Sequence, residues 1–180
     1  MENATSTSLV DLDLRGYIRD LPDYPSAGIT FRDITPLLVA PQALSAAIEQ
    51  LAALVPAGTE LIAGMEARGF IFGAALAQHM GLGFVPIRKA GKLPPPVKSF
   101  TYDLEYGQAT VELRDGTVSP GAKVVLLDDV LATGGTAEAG AELLEQVGAE
   151  VVRAIFLLEL AGLSGRERLA GRAVSTLMVL

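Results

Sequence analysis

The chain has 180 residues, half of them hydrophobic, which is enough apolar surface for one substantial core. Its formal charge of −7 argues against general nucleic-acid binding, yet 14 basic residues remain that could cluster around a small anion. No apolar run reaches the roughly 18 residues needed to cross a bilayer, and the lack of cysteine removes disulfides, thiolate metal ligands and thiol nucleophiles together.

The first eight residues, MENATSTS, have no basic region followed by an apolar one, so they do not read as a secretory signal. They read instead as disordered, and the absence of disulfides agrees with a cytoplasmic location. From Leu9 to Leu21 the apolar residues fall near helical spacing, which predicts a helix ending before Pro22. The proline-rich passage from Asp23 to Pro36 predicts a shaped loop with a short extended piece around Ile29 to Arg32. Phe31 beside Arg32 could serve there as a stacking surface for a flat ring, or as a staple packing the loop onto the core.

Pro41 to Val55 predicts a helix with proline at its start and Leu44, Ile48, Leu51 and Val55 on one face. Leu61 to Gly64 reads as a short buried strand that runs into Glu66-Ala67-Arg68-Gly69 and a helix stopping at Gly81. The single histidine, His79, falls near the end of that helix, away from every motif, and is assigned no catalysis. Gly83 to Ile87 predicts the next strand, followed by Arg88, Lys89 and Lys92. Such a run is often only a solvated face, but open α/β sheets build their sites at strand ends, which favours an anion site. Leu93 to Tyr106, with three consecutive prolines, reads as a mobile lid, or else as a hairpin arm. Ala109 to Leu113 alternates as a strand, and Val151 to Leu158 and Ala173 to Leu180 add two more, with a short helix at Ser164 to Leu169.

The most informative stretch is Val124 to Ala137. Four apolar residues lead to Asp128-Asp129, where the strand is expected to end, and Thr133-Gly134-Gly135-Thr136 then turns into a helix that stops at Gly148. Backbone N–H groups at such a turn and the helix N-terminus offer donors and partial positive charge to a phosphate. The acids would repel that phosphate, so sugar hydroxyls or a bridging cation are their fitting partners. The plainer alternative, a buried strand entering a capped helix with solvated acids, leaves the acid pair and the turn unexplained together. Alternating strands and helices give an α/β fold, a mostly parallel sheet flanked by helices, in a single domain spanning residues 1–180.

Four segments together resemble the type I phosphoribosyltransferases, and in particular their adenine branch. They are Tyr24-Pro25 with Gly28 through Leu38; Gly64 with Arg68-Gly69-Phe70; Ile87 to Pro94 with Tyr102 and Leu104 to Gly107; and Asp128-Asp129 with Ala132 to Thr136. The resemblance implies transfer of ribose 5-phosphate from phosphoribosyl pyrophosphate to adenine, giving AMP and pyrophosphate, with magnesium, in a homodimer. It implies a base-binding hood at residues 22–38 and a lid at 91–107.

By the same resemblance Ala132, Thr133, Gly134, Gly135 and Thr136 hold the 5-phosphate. Asp128 and Asp129 face the ribose hydroxyls, directly or through magnesium and its waters. Glu66, Ala67, Arg68, Arg88, Lys89 and Lys92 match the pyrophosphate site, with Arg68 also catalytic. Phe31 stacks on adenine with Val130 on its other side, while Thr30 and Arg32 read the base edge. Glu105 takes the adenine proton from a lid that also carries Tyr106. Ala67 stands where serine is frequent, Glu66 where aspartate is frequent, and Thr30 and Val130 vary an apolar site. Pro94-Pro95-Pro96 is stiff for a lid. Two alternatives are a relative preferring an oxopurine, against which stands the absence of lysine after Lys123, and a regulator binding nucleic acid, which the charge opposes.

Overall fold

The computed structural model describes residues 11–103 and 107–180. The chain forms two compact units, residues 1–50 and 51–180. In the first, a 3-10 turn (Arg15–Tyr17) leads into β1 (Arg19–Leu21), which pairs antiparallel with β2 (Phe31–Asp33). The helix expected over 9–21 is therefore absent from its described part. Asp13 Oδ1 accepts the Arg15 backbone N–H at 2.9 Å, a local turn that competes with helical bonding, and among the described residues of this stretch Leu14 alone is buried. The extended piece expected near Ile29 to Arg32 appears as β2, starting two residues later and ending one later. Helix α1 (Thr35–Val39) follows, then α2 (Pro41–Ala52), which starts on its proline as expected and carries the unit boundary.

The second unit is built on a seven-stranded sheet. Its strands are β3 (Leu61–Met65), β4 (Gly83–Lys89), β5 (Val97–Asp103), β6 (Gln108–Arg114), β7 (Lys123–Leu131), β8 (Glu150–Glu159) and β9 (Val174–Val179), in spatial order β5-β6-β4-β3-β7-β8-β9. The β4-β3-β7-β8-β9 run is parallel, and β5-β6 forms an antiparallel hairpin attached to β4. Helices α3 (Arg68–Met80), α4 (Gly135–Gln146) and α5 (Gly165–Arg168) flank it. α3 packs on β3, β4 and β7, and α4 on β5 through β8. This is the mostly parallel α/β architecture that the alternating elements imply.

The sequence explains the pattern. Val124 to Leu127 and Ala154 to Leu158 are buried without interruption, as central parallel strands covered on both faces require. Gly81, at φ 68°, ends α3 in the left-handed conformation that glycine adopts without a Cβ clash. His79 is exposed near that end. Among the described residues no helix is long and apolar enough to cross a membrane.

Three boundaries beside the strand ends that carry the acids and cations differ from expectation. β7 does not stop at the acids; it continues through them to Leu131, with Asp128 paired to Phe156 and Val130 to Leu158. β4 extends to Lys89, which places Arg88 and Lys89 on the strand opposite Glu112 and Val111 of β6. Val97 to Asp103 takes the hairpin alternative rather than an open loop, and the proline run is tied to it: Arg114 donates to the carbonyls of Pro94 (3.2 Å) and Pro96 (2.6 Å). Leu104, Glu105, Tyr106 and the first eight residues lie outside the described residues.

Phe156 is fully buried in the core formed by β7, β8 and α4. Phe156→Ala is expected to cost about 3–5 kcal/mol of unfolding free energy, measurable by urea denaturation followed by far-UV circular dichroism.

Candidate active site

The parallel pairing of β3 with β4 and β7 brings three chain segments to one edge of the sheet. They are Glu66 to Arg68 after β3, Arg88 to Ala90 at the end of β4, and Asp128 to Thr136 at the end of β7. Together with Tyr102 from β5 and Ala109 to Val111 from β6 they line a cavity of about 740 Å³. A smaller recess of about 90 Å³, bounded by Asp128 and Val130 to Ala137, lies within the turn itself.

The turn is shaped by close packing. Gly134, at φ 84°, caps α4 in a conformation unfavourable to a side chain. A β-carbon on Gly165, at the start of α5, would collide with the Ala132 carbonyl, and one on Gly135 would lie 2.7 Å from Arg168 Nη1. The last part of the chain thus braces the turn from outside. Arg166 fixes that brace: its Nε donates to both oxygens of buried Glu159 at 2.8 Å. Thr136 Oγ1 lies 3.2 Å from the Tyr102 hydroxyl.

The acids are set apart by their surroundings. Asp129 is buried and pairs with Arg68 Nε at 2.8 Å. Burial raises its carboxyl above the ordinary range, and the Arg68 charge opposes that rise. Burial also pushes Asp128 well up, and the adjacent Asp129 charge adds to it, while the Asp129 N–H donated to Asp128 Oδ1 at 2.9 Å works the other way. The start of α3 lies against these acids, since a β-carbon on Gly69 would sit 2.8 Å from Asp128 Oδ1 and 2.9 Å from the Leu127 carbonyl.

Glu66 is committed to the framework. Its two oxygens accept from Arg88 Nη2 at 3.1 Å and from the Lys89 backbone N–H at 2.9 Å, tying the ends of β3 and β4. The Lys89 N–H, with Arg88, holds its carboxyl below the ordinary range despite some burial. Arg88 also donates to the Lys92 carbonyl at 2.9 Å.

Of the anticipated site residues in this unit, Glu66, Ala67, Arg68, Arg88, Lys89, Asp128, Asp129, Val130, Ala132 and Thr136 line the large cavity. Thr133, Gly134 and Gly135 line the recess. Lys92 lines neither, and is exposed. Thr30, Phe31 and Arg32 belong to the first unit, where the Phe31 ring meets Tyr24 edge-to-face at 5.4 Å and Arg32 pairs with Asp20. Glu105 and Tyr106 lie outside the described residues. Sequence reading placed Tyr102 only within the lid and the segment carrying the resemblance, with no contact assigned, and gave Thr110 and Val111 no role; the alternation of the hairpin arm was the signal that could have placed them.

A mostly parallel sheet whose strand ends present a phosphate-type turn, paired acids and cations defines a class, and the chain belongs to the phosphoribosyl transferase domain family, whose model matches residues 39–177. Within that family its similar relatives are adenine phosphoribosyltransferases. The one from Synechococcus sp. (strain JA-3-3Ab) is 59% identical over 160 residues, covering 88% of this chain and 91% of that protein. The crystal structure of the enzyme from Thermoanaerobacter pseudethanolicus matches with a TM-score of 0.90 at 45% identity, covering 96% of this chain and 100% of the other. That of the Saccharomyces cerevisiae enzyme, complexed with an imino-altritol bisphosphate and adenine, matches at 0.86 and 38% identity, covering 91% and 95%.

Because the Glu66 carboxylate is favoured in the folded state, its contribution to stability is present at neutral pH and is lost as pH falls through its lowered pKa. Glu66→Gln removes that dependence. Its melting temperature is expected to lie below that of the unaltered protein at pH 7, with the gap narrowing below about pH 4. A gap that stays constant down to pH 3 would contradict the assignment.

Proposed function

We propose that the chain transfers ribose 5-phosphate from phosphoribosyl pyrophosphate to adenine, giving AMP and pyrophosphate, a step of purine salvage. The observation that carries this reading is that both ends of the turn (Ala132 and Thr136), the acid pair and the Arg68, Arg88 and Lys89 cations open onto one cavity of about 740 Å³. A substrate with an anionic group at each end needs a subsite for each, with the reacting carbon between them.

In this reading Ala132 to Thr136 take the 5-phosphate through backbone N–H groups, hydroxyls and the N-terminus of α4. Asp128 and Asp129 accept from the ribose hydroxyls. Arg68, next to Asp129, and Lys89 take the pyrophosphate, while Arg88 holds Glu66 away from it. Lys92 contributes only longer-range positive charge.

Three acids and three cations line the cavity (Glu66, Asp128 and Asp129; Arg68, Arg88 and Lys89), so the protein by itself does not balance a diphosphate. Magnesium typically takes one or two carboxylates, several waters and substrate phosphates. The adjacent Asp128 and Asp129 fit that donor set, through water. Bound there, the ion would neutralise charge on the departing pyrophosphate. The bond from the ribose carbon to the pyrophosphate oxygen breaks as the bond to the adenine nitrogen forms. Arg68 and Lys89 stabilise the negative charge gathering on the leaving group.

The adenine nitrogen must also shed its proton, and the resemblance assigns Glu105 to take it, on a lid that includes Tyr106. The roles of Thr30, Phe31, Arg32 and Val130 toward the base, and the homodimer, rest on the same resemblance. Phe31 suits stacking because it is a flat aromatic residue that is only half-buried.

Pyrophosphate release measured side by side with adenine, hypoxanthine and guanine tests the reading. Turnover is expected with adenine and at least about 100-fold less with the oxopurines, since a site built for one hydrogen-bonding edge leaves polar groups unpaired with the other. Turnover only with the oxopurines would reject it. Glu105→Gln is expected to lower turnover by about 100-fold or more with little change in phosphoribosyl pyrophosphate binding, read by single-turnover kinetics and equilibrium binding.

A further inference from the structure

We infer that Tyr102 is a further substrate-positioning residue, orienting the Thr136 hydroxyl toward the anion held by the turn. The inference rests on the reading of Ala132 to Thr136 as the 5-phosphate site. Tyr102 lies on β5 opposite Ala109 of β6, and it shares a face with Phe100, two residues earlier; both rings pack on the core. The Tyr102 ring runs alongside the first residue of α4, its Cδ2 lying 3.9 Å from where a Gly135 β-carbon would be. From there its hydroxyl reaches Thr136 Oγ1 at 3.2 Å.

Both residues line the large cavity, and Thr136 lines the recess of the turn as well. The Thr136 hydroxyl therefore stands between Tyr102 and the place where the anion sits. A threonine hydroxyl has one proton and two acceptor positions, and it rotates to suit its partners. The phenol is the more acidic of the two hydroxyls, so it is the favoured donor. Once Tyr102 donates, an acceptor position on Thr136 is filled and its single proton is free to point at a phosphate oxygen. A hydrogen bond to an ionised acceptor is stronger than one between neutral groups, so fixing that proton matters most when the phosphate is present. The arrangement forms a relay from Tyr102 through Thr136 to phosphate, running from the hairpin to the start of α4. It leaves the base untouched.

Tyr102→Phe removes only the hydroxyl and keeps the ring packed, so the fold is retained. The Michaelis constant for phosphoribosyl pyrophosphate and the dissociation constant of AMP are expected to rise roughly three- to tenfold, the size of one hydrogen bond's net contribution. The Michaelis constant for adenine, the turnover number and adenosine binding should stay within about twofold. Thr136→Val should weaken the phosphate-bearing ligands at least as much. The double variant should be no worse than Thr136→Val alone, because both changes cut one relay.

Equal losses for AMP and adenosine, or a double variant whose loss is the product of the two single ones, would overturn the inference. If Tyr102→Phe is silent while Thr136→Val weakens AMP, Tyr102 alone is wrongly assigned. If Thr136→Val is silent as well, the reading of the turn falls with it.

Discussion

The start of α3 lies so close to the end of β7 that Gly69 has no room for a β-carbon beside Asp128 and the Leu127 carbonyl. Much of the site follows from that approach. It sets Arg68, one residue earlier, where its guanidinium meets Asp129 at 2.8 Å. It also helps to take Asp128 and Asp129 out of water, which raises both carboxyls. The parallel register of β3 on β7, with Leu61 opposite Val124 and Gly64 opposite Leu127, brings the end of β3 level with the acid pair of β7. The glycine then lets them close.

The charges in the cavity are divided between framework and solvent. Glu66 is held by Arg88 and the Lys89 N–H, and one oxygen of Asp129 is paired with Arg68. Of the cations, Arg88 is turned toward protein oxygens at Glu66 and Lys92, while Lys89 is exposed. Arg68 is the intermediate case, paired to Asp129 yet with a side chain 40% exposed. A cation that is paired within the protein and still partly exposed is oriented before substrate arrives, which reduces the cost of ordering it on binding.

The sheet was legible because its signals were strong. Continuous apolar runs at Val124 to Leu127 and Ala154 to Leu158, and the glycine stops at Gly81 and Gly148, fixed the central strands and helices to within a few residues. The acid pair misled on one boundary: carboxylates look like a strand end, yet Val130 and Leu131 continue the ladder beyond them. The stretch over 9–21 misled more, since helical spacing of leucines competes poorly with an Asp13 turn and with pairing to a strand ten residues on. Within the site, residue types at strand ends could be read directly. Which cation faces protein and which faces the cavity could not, because that depends on Glu66 reaching across from β3 to β4. Tyr102 escaped for a similar reason: its partner Thr136 is 34 positions away.

The packing of Gly165 against the Ala132 carbonyl, held by Arg166 on Glu159, also bears on how this architecture can be taken apart. The turn that looks like a self-contained five-residue motif owes its curvature to a segment more than thirty residues downstream. It is therefore not portable. Grafting Ala132 to Thr136 onto another strand-helix junction would transfer the donors without the wall that bends them. In the same way, an insertion between β8 and α5 reaches the turn although it touches none of the turn's residues. Sequence change in this protein is constrained by the shape of that wall as much as by the chemistry of the motif.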